Sequence, residues 1–200
     1  MIAPAHPVGR IGPNVLIQTA HALAYRLGRD TASRVLQVST HHTFDTLPIE
    51  MVDEATANAL LRHLVASYGL PFSRTVLRDA GERTGNYLLA NRIPGIARMT
   101  LPALPPRLSL RLLLSAISRH TWTFAGSATV EILHGAPAVI AISSCPMCAG
   151  ITSDVPTCDF YVGTFHRLAQ ALLGPRGFAE EITCEASGGS ACRFAMGTRR

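Results

Sequence analysis

Three cysteines and one glutamate near the C-terminus have the types and the spacing to hold a metal ion. Cys184 and Cys192 flank seven residues that include two adjacent glycines, and this pattern predicts a tight turn between two short strands. Glu181 lies three residues before the first of these thiols, and Cys158 precedes a helical segment whose return path leads to the same hairpin. Sulfur ligands with one oxygen suit a four-coordinate Zn²⁺, and a site filled entirely by protein ligands is structural rather than catalytic.

Spacing alone leaves other interpretations open, because these four residues contain neither a C-x-x-C nor a C-x-x-H pair. The three cysteines can instead be buried and reduced, acting as small apolar residues. A C-x-x-C pair occurs upstream at Cys145 and Cys148, and such a pair can bind metal or cycle as a dithiol. The βαβ unit expected around a redox pair is missing from the sequence pattern. Cys148 is therefore also an alternative to Cys158 as the fourth metal ligand.

The spacing C…E-x-x-C-x7-C-x-F, which ends at Phe194, resembles that of the 4-vinyl-reductase-type domain family. Members occur in bacteriochlorophyll biosynthesis and as sensor domains of aromatic-responsive transcription activators, and in those sensors the matching positions hold zinc. The resemblance implies a structural Zn²⁺ bound by four residues: Cys158, Glu181, Cys184 and Cys192. It also implies an α+β fold related to TRAPP-type vesicle-tethering subunits, and a homodimer.

The segment 79–94, DAGERTGNYLLANRIP, is similar to the bacteriochlorophyll branch of the family in particular, and the resemblance extends over residues 10–196. This branch implies a protein that binds a magnesium tetrapyrrole of the protochlorophyllide type and carries it between pathway enzymes. Arginines would meet the carboxylates of the pigment, and an apolar cavity would take its ring. The residues predicted to bind it are Gly81, Gly85, Tyr87, His120, Trp122 and Phe124. For the two glycines, close packing against another helix is the alternative.

Two other functions stay open. The family name implies a divinyl protochlorophyllide vinyl reductase, but the sequence has no G-x-G-x-x-G turn, no Walker-type phosphate loop and no G-x-S-x-G elbow. A reductase would therefore take its hydride from an external donor. The second alternative is a small-molecule sensor module. The sequence features favour a non-catalytic binding protein with a structural metal.

The composition indicates one folded domain with much apolar surface. Of the 200 residues, 48% are hydrophobic and only 16% are charged, which favours a dimer interface or a ligand cavity. The net charge of +5 would attract anions, but the arginines are scattered and no helix-turn-helix accompanies them, which argues against nucleic acid. Because we find neither a signal-like N-terminus nor about eighteen consecutive apolar residues, we expect a cytoplasmic protein, with peripheral contact to the photosynthetic membrane as a further option.

The hydrophobic pattern predicts an irregular arm over 1–12 and a single domain over 13–200. Helices are predicted over 13–27, 50–68, 73–92, 107–120 and 160–173. Strands are predicted over 121–126, 128–135 and 137–144, and the cysteine hairpin extends this antiparallel sheet to about five strands. The predicted class is α+β, with helices packed on one face of the sheet. The polar residues of helix 107–120 form one narrow stripe, which favours burial or dimerisation over a membrane surface.

Overall fold

The computed structural model describes residues 9–199, with helices dominating the first half of the chain and strands the second. The helices are α1 (Asn14–Leu27), α2 (Arg29–Thr40), α3 (Glu54–Tyr68), α4 (Leu70–Asn91), α5 (Gly95–Thr100), α6 (Pro106–Arg119) and α7 (Asp159–Leu173). The strands are β1 (Arg10–Ile11), β2 (Val52–Asp53), β3 (Thr129–Leu133), β4 (Ala138–Ser143), β5 (Gly177–Thr183) and β6 (Cys192–Thr198).

The last four strands form one antiparallel sheet in the order β3-β4-β6-β5, while β1 and β2 pair separately. The central strands β4 and β6 bury most of their side chains, whereas the edge strand β3 alternates between exposed and half-buried positions. Helix α7 packs against β5 and β6, and α6 also contacts the sheet. The predicted α+β class, with an antiparallel sheet and packed helices, is confirmed.

The main sheet has four strands rather than about five, because the predicted strand 121–126 begins as a 3-10 helix over Thr121–Thr123. The backbone N–H of Thr123 donates to the His120 carbonyl at 2.9 Å, and that of Phe124 donates to the Thr121 carbonyl at 3.0 Å. These local turns use the hydrogen-bonding groups that a strand would offer to a neighbour. Trp122 is 62% exposed, so its ring does not mark a core-facing strand position.

Other segments also differ from the predictions. Residues 29–40 form α2, although the sequence pattern there is too weak to predict a helix; Ala32, Val35 and Leu36 are its buried positions at helical spacing. The linker expected around residues 100–106 is preceded by α5. Of the predicted irregular arm, residues 1–8 lie outside the described residues, and Arg10–Ile11 pair with β2 instead of being irregular.

Helices α4 and α7 cross at backbone contact, and glycines make this approach possible. A side chain added at Gly81 would overlap the carbonyl oxygen of Phe160, and one added at Gly163 would overlap the carbonyl of Arg78. Thr164 ties the helices together, because its hydroxyl donates to the Gly81 carbonyl at 3.1 Å. The small face of α4 is therefore a helix-packing surface, which is the alternative that the sequence leaves open.

On its other side, α7 buries aromatic rings against β6. Tyr161 stacks on Phe165 with ring centroids 5.9 Å apart, and the Phe194 ring meets both edge-on, at 5.7 and 5.5 Å. The Tyr161 hydroxyl donates to the Phe124 carbonyl at 2.7 Å. Burial raises the pKa of Tyr161 well above its ordinary value, so the hydroxyl stays neutral and remains a donor. Helix α7 is thus fixed from two directions.

Replacing Gly81 with alanine tests the close crossing of α4 and α7. The new methyl group meets backbone, which cannot rotate away, so we expect Gly81→Ala to lower the free energy of unfolding by about 2 kcal/mol despite the higher helix propensity of alanine. Gly95→Ala is the control, because its methyl group would approach nothing closer than the Arg98 guanidinium at 3.6 Å. Urea denaturation of both variants measures the difference. Equal midpoints would contradict the packing.

Candidate metal centre and arginine groove

The structure brings together all four residues predicted as metal ligands. Cys158 precedes the first residue of α7, Glu181 lies in β5, Cys184 follows the end of that strand, and Cys192 begins β6. Their ligand atoms lie within 4.8 Å of one another. The turn between the last two cysteines depends on Gly188, whose φ of +86° favours glycine, and the N–H of Gly189 donates to the Cys184 carbonyl at 2.9 Å.

The sulfur atoms are spaced like corners of a metal-binding tetrahedron. The Sγ of Cys158 lies 3.8 Å from that of Cys184 and 3.6 Å from that of Cys192, and the last two are 3.7 Å apart. Ligands about 2.3 Å from a tetrahedral Zn²⁺ ion are separated by about 3.8 Å. All three side chains are buried and none forms a disulfide. The donor set therefore fits zinc in both chemistry and spacing.

Glu181 supplies an oxygen that has no partner among the described residues. Its Oε2 accepts a hydrogen bond from the backbone N–H of Cys158 at 2.8 Å, whereas its buried Oε1 accepts none. Burial, followed by the negative charge of Cys184, raises the pKa of Glu181 to about 9. A buried, unsatisfied carboxylate oxygen costs free energy, and a cation bound beside it removes that cost.

The C-x-x-C pair belongs to the same sulfur cluster, which the spacing of the other ligands did not reveal. The Sγ of Cys145 lies 3.7 Å from that of Cys158, and the Sγ of Cys148 lies 3.4 Å from that of Cys192. Cys148 therefore lies beside the predicted ligands rather than in place of Cys158. The motif itself was the available signal. Only the pairing of Ile142 with Cys192 shows that the end of β4 leads into the cluster.

Crowding of the thiols has an electrostatic consequence. The neighbouring sulfurs, with Cys145 first among them, and burial raise the pKa of the Cys158 thiol well above its ordinary value. Several thiolates cannot ionise side by side in a low-dielectric interior without compensation. Divalent cations reverse this balance, because they bind the deprotonated sulfur.

The residues predicted to bind the pigment do not form one cavity. Helix α7 covers Gly81 and Gly85, and a side chain at the second position would overlap Arg167. Phe124 packs edge-on against Tyr161 and Phe165. The prediction of a flat ligand on the glycine face is therefore corrected, because a helix already occupies that face.

The remaining predicted residues lie apart from that contact. Tyr87 is half-buried on α4, His120 ends α6, and Trp122 follows on the surface. One ring nitrogen of His120 donates to the Ala116 carbonyl at 2.8 Å, which is a helix-end contact. No observation within the described residues joins these side chains into a binding surface.

A different surface has the chemistry expected for an anionic ligand. It is a groove of about 770 Å³ beside α1, α4 and the start of α7. Four arginines and three carboxylates line it together with an exposed tyrosine: Arg26, Arg74, Arg78, Arg83, Asp79, Glu82, Asp159 and Tyr25. We call this surface the arginine groove. The sequence suggested arginines as partners for carboxylates but did not show which of them converge.

Two aspartates organise the arginine groove. Asp159 is 5% exposed and accepts from Arg74 at 2.7 Å, with Arg78 3.7 Å away. Asp79 pairs with Arg26 at 2.6 Å and with Arg83 at 3.0 Å. These pairs hold the guanidinium groups in place while leaving further N–H donors for a ligand.

Comparison with known proteins defines the class of this fold and site. Residues 138–198, which include all five cysteines, match the family model of the 4-vinyl-reductase domain. The crystal structure of the Fe(II) unliganded H-NOX protein from K. algicida has a TM-score of 0.60 at 10% identity, covering 95% of this chain and 97% of that one. The phenol-responsive sensory domain of the activator PoxR has a TM-score of 0.53 at 16% identity, covering 74% and 75%. These structures share the fold.

Two curated relatives carry the identification further, and both are named bacteriochlorophyll synthase 23 kDa chain. The one from Cereibacter sphaeroides is 36% identical over 192 residues, covering 94% of this chain and 90% of its own. The one from Rhodobacter capsulatus is 33% identical over 199 residues, covering 97% and 90%. The chain belongs to this family. The predicted resemblance to BchJ-type proteins with a 4-vinyl-reductase-type domain is confirmed, whereas the relation to TRAPP subunits stays a prediction.

A search for membrane-spanning segments gives a negative result over the described part of the chain. Among residues 9–199, no helix is long and apolar enough to cross a membrane.

Removing the charge of Asp159 tests its role in ordering the groove. We expect Asp159→Asn to lower the free energy of unfolding by about 1–2 kcal/mol, because the buried carboxylate holds two partly exposed arginines. Asp45→Asn is the control: this aspartate pairs with Arg29 at the surface, where its side chain is 82% exposed. There we expect a change below about 0.5 kcal/mol. Thermal and urea unfolding measure both, and equal effects would contradict the role of Asp159.

Proposed function

We propose that the protein is a non-catalytic component of bacteriochlorophyll biosynthesis that binds a magnesium tetrapyrrole of the protochlorophyllide type and passes it between pathway enzymes. The observation that carries the proposal is the nearly full-length similarity to the bacteriochlorophyll synthase 23 kDa chain. A vinyl reductase that takes its hydride from an external donor is the competing function. The cytoplasmic location and the homodimer predicted from the sequence are parts of the same proposal.

A structural Zn²⁺ ion is the second part of the proposal. The residues that would hold it are Cys158, Glu181, Cys184 and Cys192, supported by the sulfur spacing and by the unpartnered Glu181 oxygen. The ion would supply a cross-link between the start of α7 and the β5–β6 hairpin. Since protein ligands fill all four positions, such a site stabilises the fold and leaves no position for a substrate.

The arginine groove is the proposed pigment-binding surface and replaces the glycine face. Its volume of about 770 Å³ lies within the usual range for ligand sites. Guanidinium groups bind carboxylates with two parallel hydrogen bonds, and the ring of Tyr25, which is 79% exposed, offers a flat surface for the macrocycle. An open groove also allows release, which a carrier requires.

Contact with pathway enzymes or with a membrane surface would use a different face. Helix α6 buries Leu110, Leu113 and Leu114 but exposes Leu108 and Leu112, beside outward-facing arginines. An apolar strip flanked by positive charge suits an acidic protein surface or anionic lipid headgroups. We propose that peripheral contacts form here, away from the arginine groove.

Glu181→Gln tests the zinc site. The substitution keeps the shape of the side chain but removes its negative charge, so we expect zinc affinity to fall at least about tenfold, as measured by competition with a chromophoric chelator. Glu180→Gln is the matched control, because this neighbouring glutamate is exposed on the same strand. Equal affinities in both variants, or purified protein without zinc, would refute the site.

Pigment binding is tested by titrating the protein with divinyl protochlorophyllide and recording the absorption spectrum. We expect a spectral shift without turnover when NADPH is present. Arg83→Ala should raise the dissociation constant about tenfold, because one charge-assisted hydrogen bond is lost. Arg92→Ala at the end of the same helix, outside the groove, is the control. Reduction of the vinyl group would instead establish the reductase.

A further inference from the structure

The sulfur cluster contains more ligands than one zinc ion needs. All five cysteines of the chain are buried and free. Cys145 and Cys148 lie outside the four-residue zinc set, yet each has a sulfur within van der Waals contact of that set, at 3.7 Å from Cys158 and 3.4 Å from Cys192. Buried thiols that serve only as apolar filling have no reason to converge on ligands from three separate segments of the chain.

We propose that this cluster holds a second soft divalent metal ion, with four sulfur ligands: Cys145, Cys148, Cys158 and Cys192. Two of these ligands, Cys158 and Cys192, also belong to the zinc site, so their sulfurs bridge the two ions. The inference rests on the zinc site of the proposed function and extends it from one ion to a thiolate-bridged pair.

The geometry provides a complete ligand set for each ion. The four sulfurs of the second set lie within 4.8 Å of one another, like the ligand atoms of the first set. The shared edge between Cys158 and Cys192 measures 3.6 Å, close to the edge of about 3.8 Å in a zinc tetrahedron. Two tetrahedra that share one edge need six ligands, and the cluster contains five sulfurs and the Glu181 carboxylate. Each ion is then four-coordinate, and no ligand is left over.

Charge balance supports the same count. If all six groups are deprotonated, they carry six negative charges, of which one divalent ion leaves four and two ions leave two. Uncompensated charge is costly in a buried site, so the second ion stabilises sulfurs that the first cannot reach. With a single ion, Cys145 and Cys148 would instead remain neutral thiols.

The loop that carries Cys145 and Cys148 is held in position by the hairpin. Glu185 accepts hydrogen bonds from the backbone N–H groups of Ser144 and Cys145, both at 2.8 Å. The N–H of Cys148 donates to the Cys145 carbonyl at 3.4 Å, forming a tight turn of the kind that presents two sulfurs to one metal. Glu185 is therefore a positioning residue that links the turn to Cys192, whose sulfur accepts from its N–H at 3.4 Å.

Metal counting on the full-length protein tests the inference without any variant. Metal-free, reduced protein is titrated with Cd²⁺ while the sulfur-to-metal charge-transfer absorption is recorded. We expect saturation at two ions per chain, and two ¹¹³Cd resonances split by coupling through the shared sulfurs. Saturation at one ion would overturn the second site and leave the zinc site intact. Failure to bind any ion would overturn both.

Replacing Cys145 and Cys148 together by serine assigns the second ion. We expect the Cys145→Ser/Cys148→Ser variant to bind one ion and to lose the coupling, while Glu181 and its three thiol partners keep the first. Glu185→Gln, which weakens the positioning of the loop, should lower affinity only for the second ion. Retention of two coupled ions in the double variant would overturn the ligand assignment. Should the double variant not fold, the titration of the unmodified chain decides.

Discussion

The backbone contact between α4 and α7 is the constraint on which both functional surfaces depend. Gly81 and Gly163 allow the two helices to cross closely, and this fixes the first turn of α7. Cys158, just before that turn, then enters the sulfur cluster, while Asp159, the next residue, anchors two arginines of the groove. A shift of α7 would change the cluster and the groove together, because adjacent residues serve both.

The two surfaces handle charge in opposite ways. In the sulfur cluster the acidic groups are buried and close together, so only a bound cation can balance them. In the arginine groove the charges are paired and partly solvated, so they are already balanced and remain available to a ligand carboxylate. The first arrangement favours permanent binding of a structural ion. The second favours reversible binding, which suits a protein that hands a pigment to an enzyme.

The fold shared with H-NOX and PoxR domains does not by itself indicate a ligand. In this chain the interior beside the glycines is filled by α7, and aromatic rings from α7 and β6 pack behind it. A flat macrocycle therefore has no space in the region where the small residues suggest one. The exposed tyrosine and the arginines of the groove offer complementary chemistry without disturbing this core.

The sequence by itself determined the α+β class, the order of helices and strands, and the zinc-type spacing of Glu181, Cys184 and Cys192, because these follow from local periodicity and from turns over short distances. It could not determine the strand count near Trp122, where local turn bonds replaced pairing. Nor could it show that Cys145 and Cys148 join the cluster or that four arginines form a groove. Those arrangements depend on contacts between segments distant in the chain, which only tertiary packing brings together.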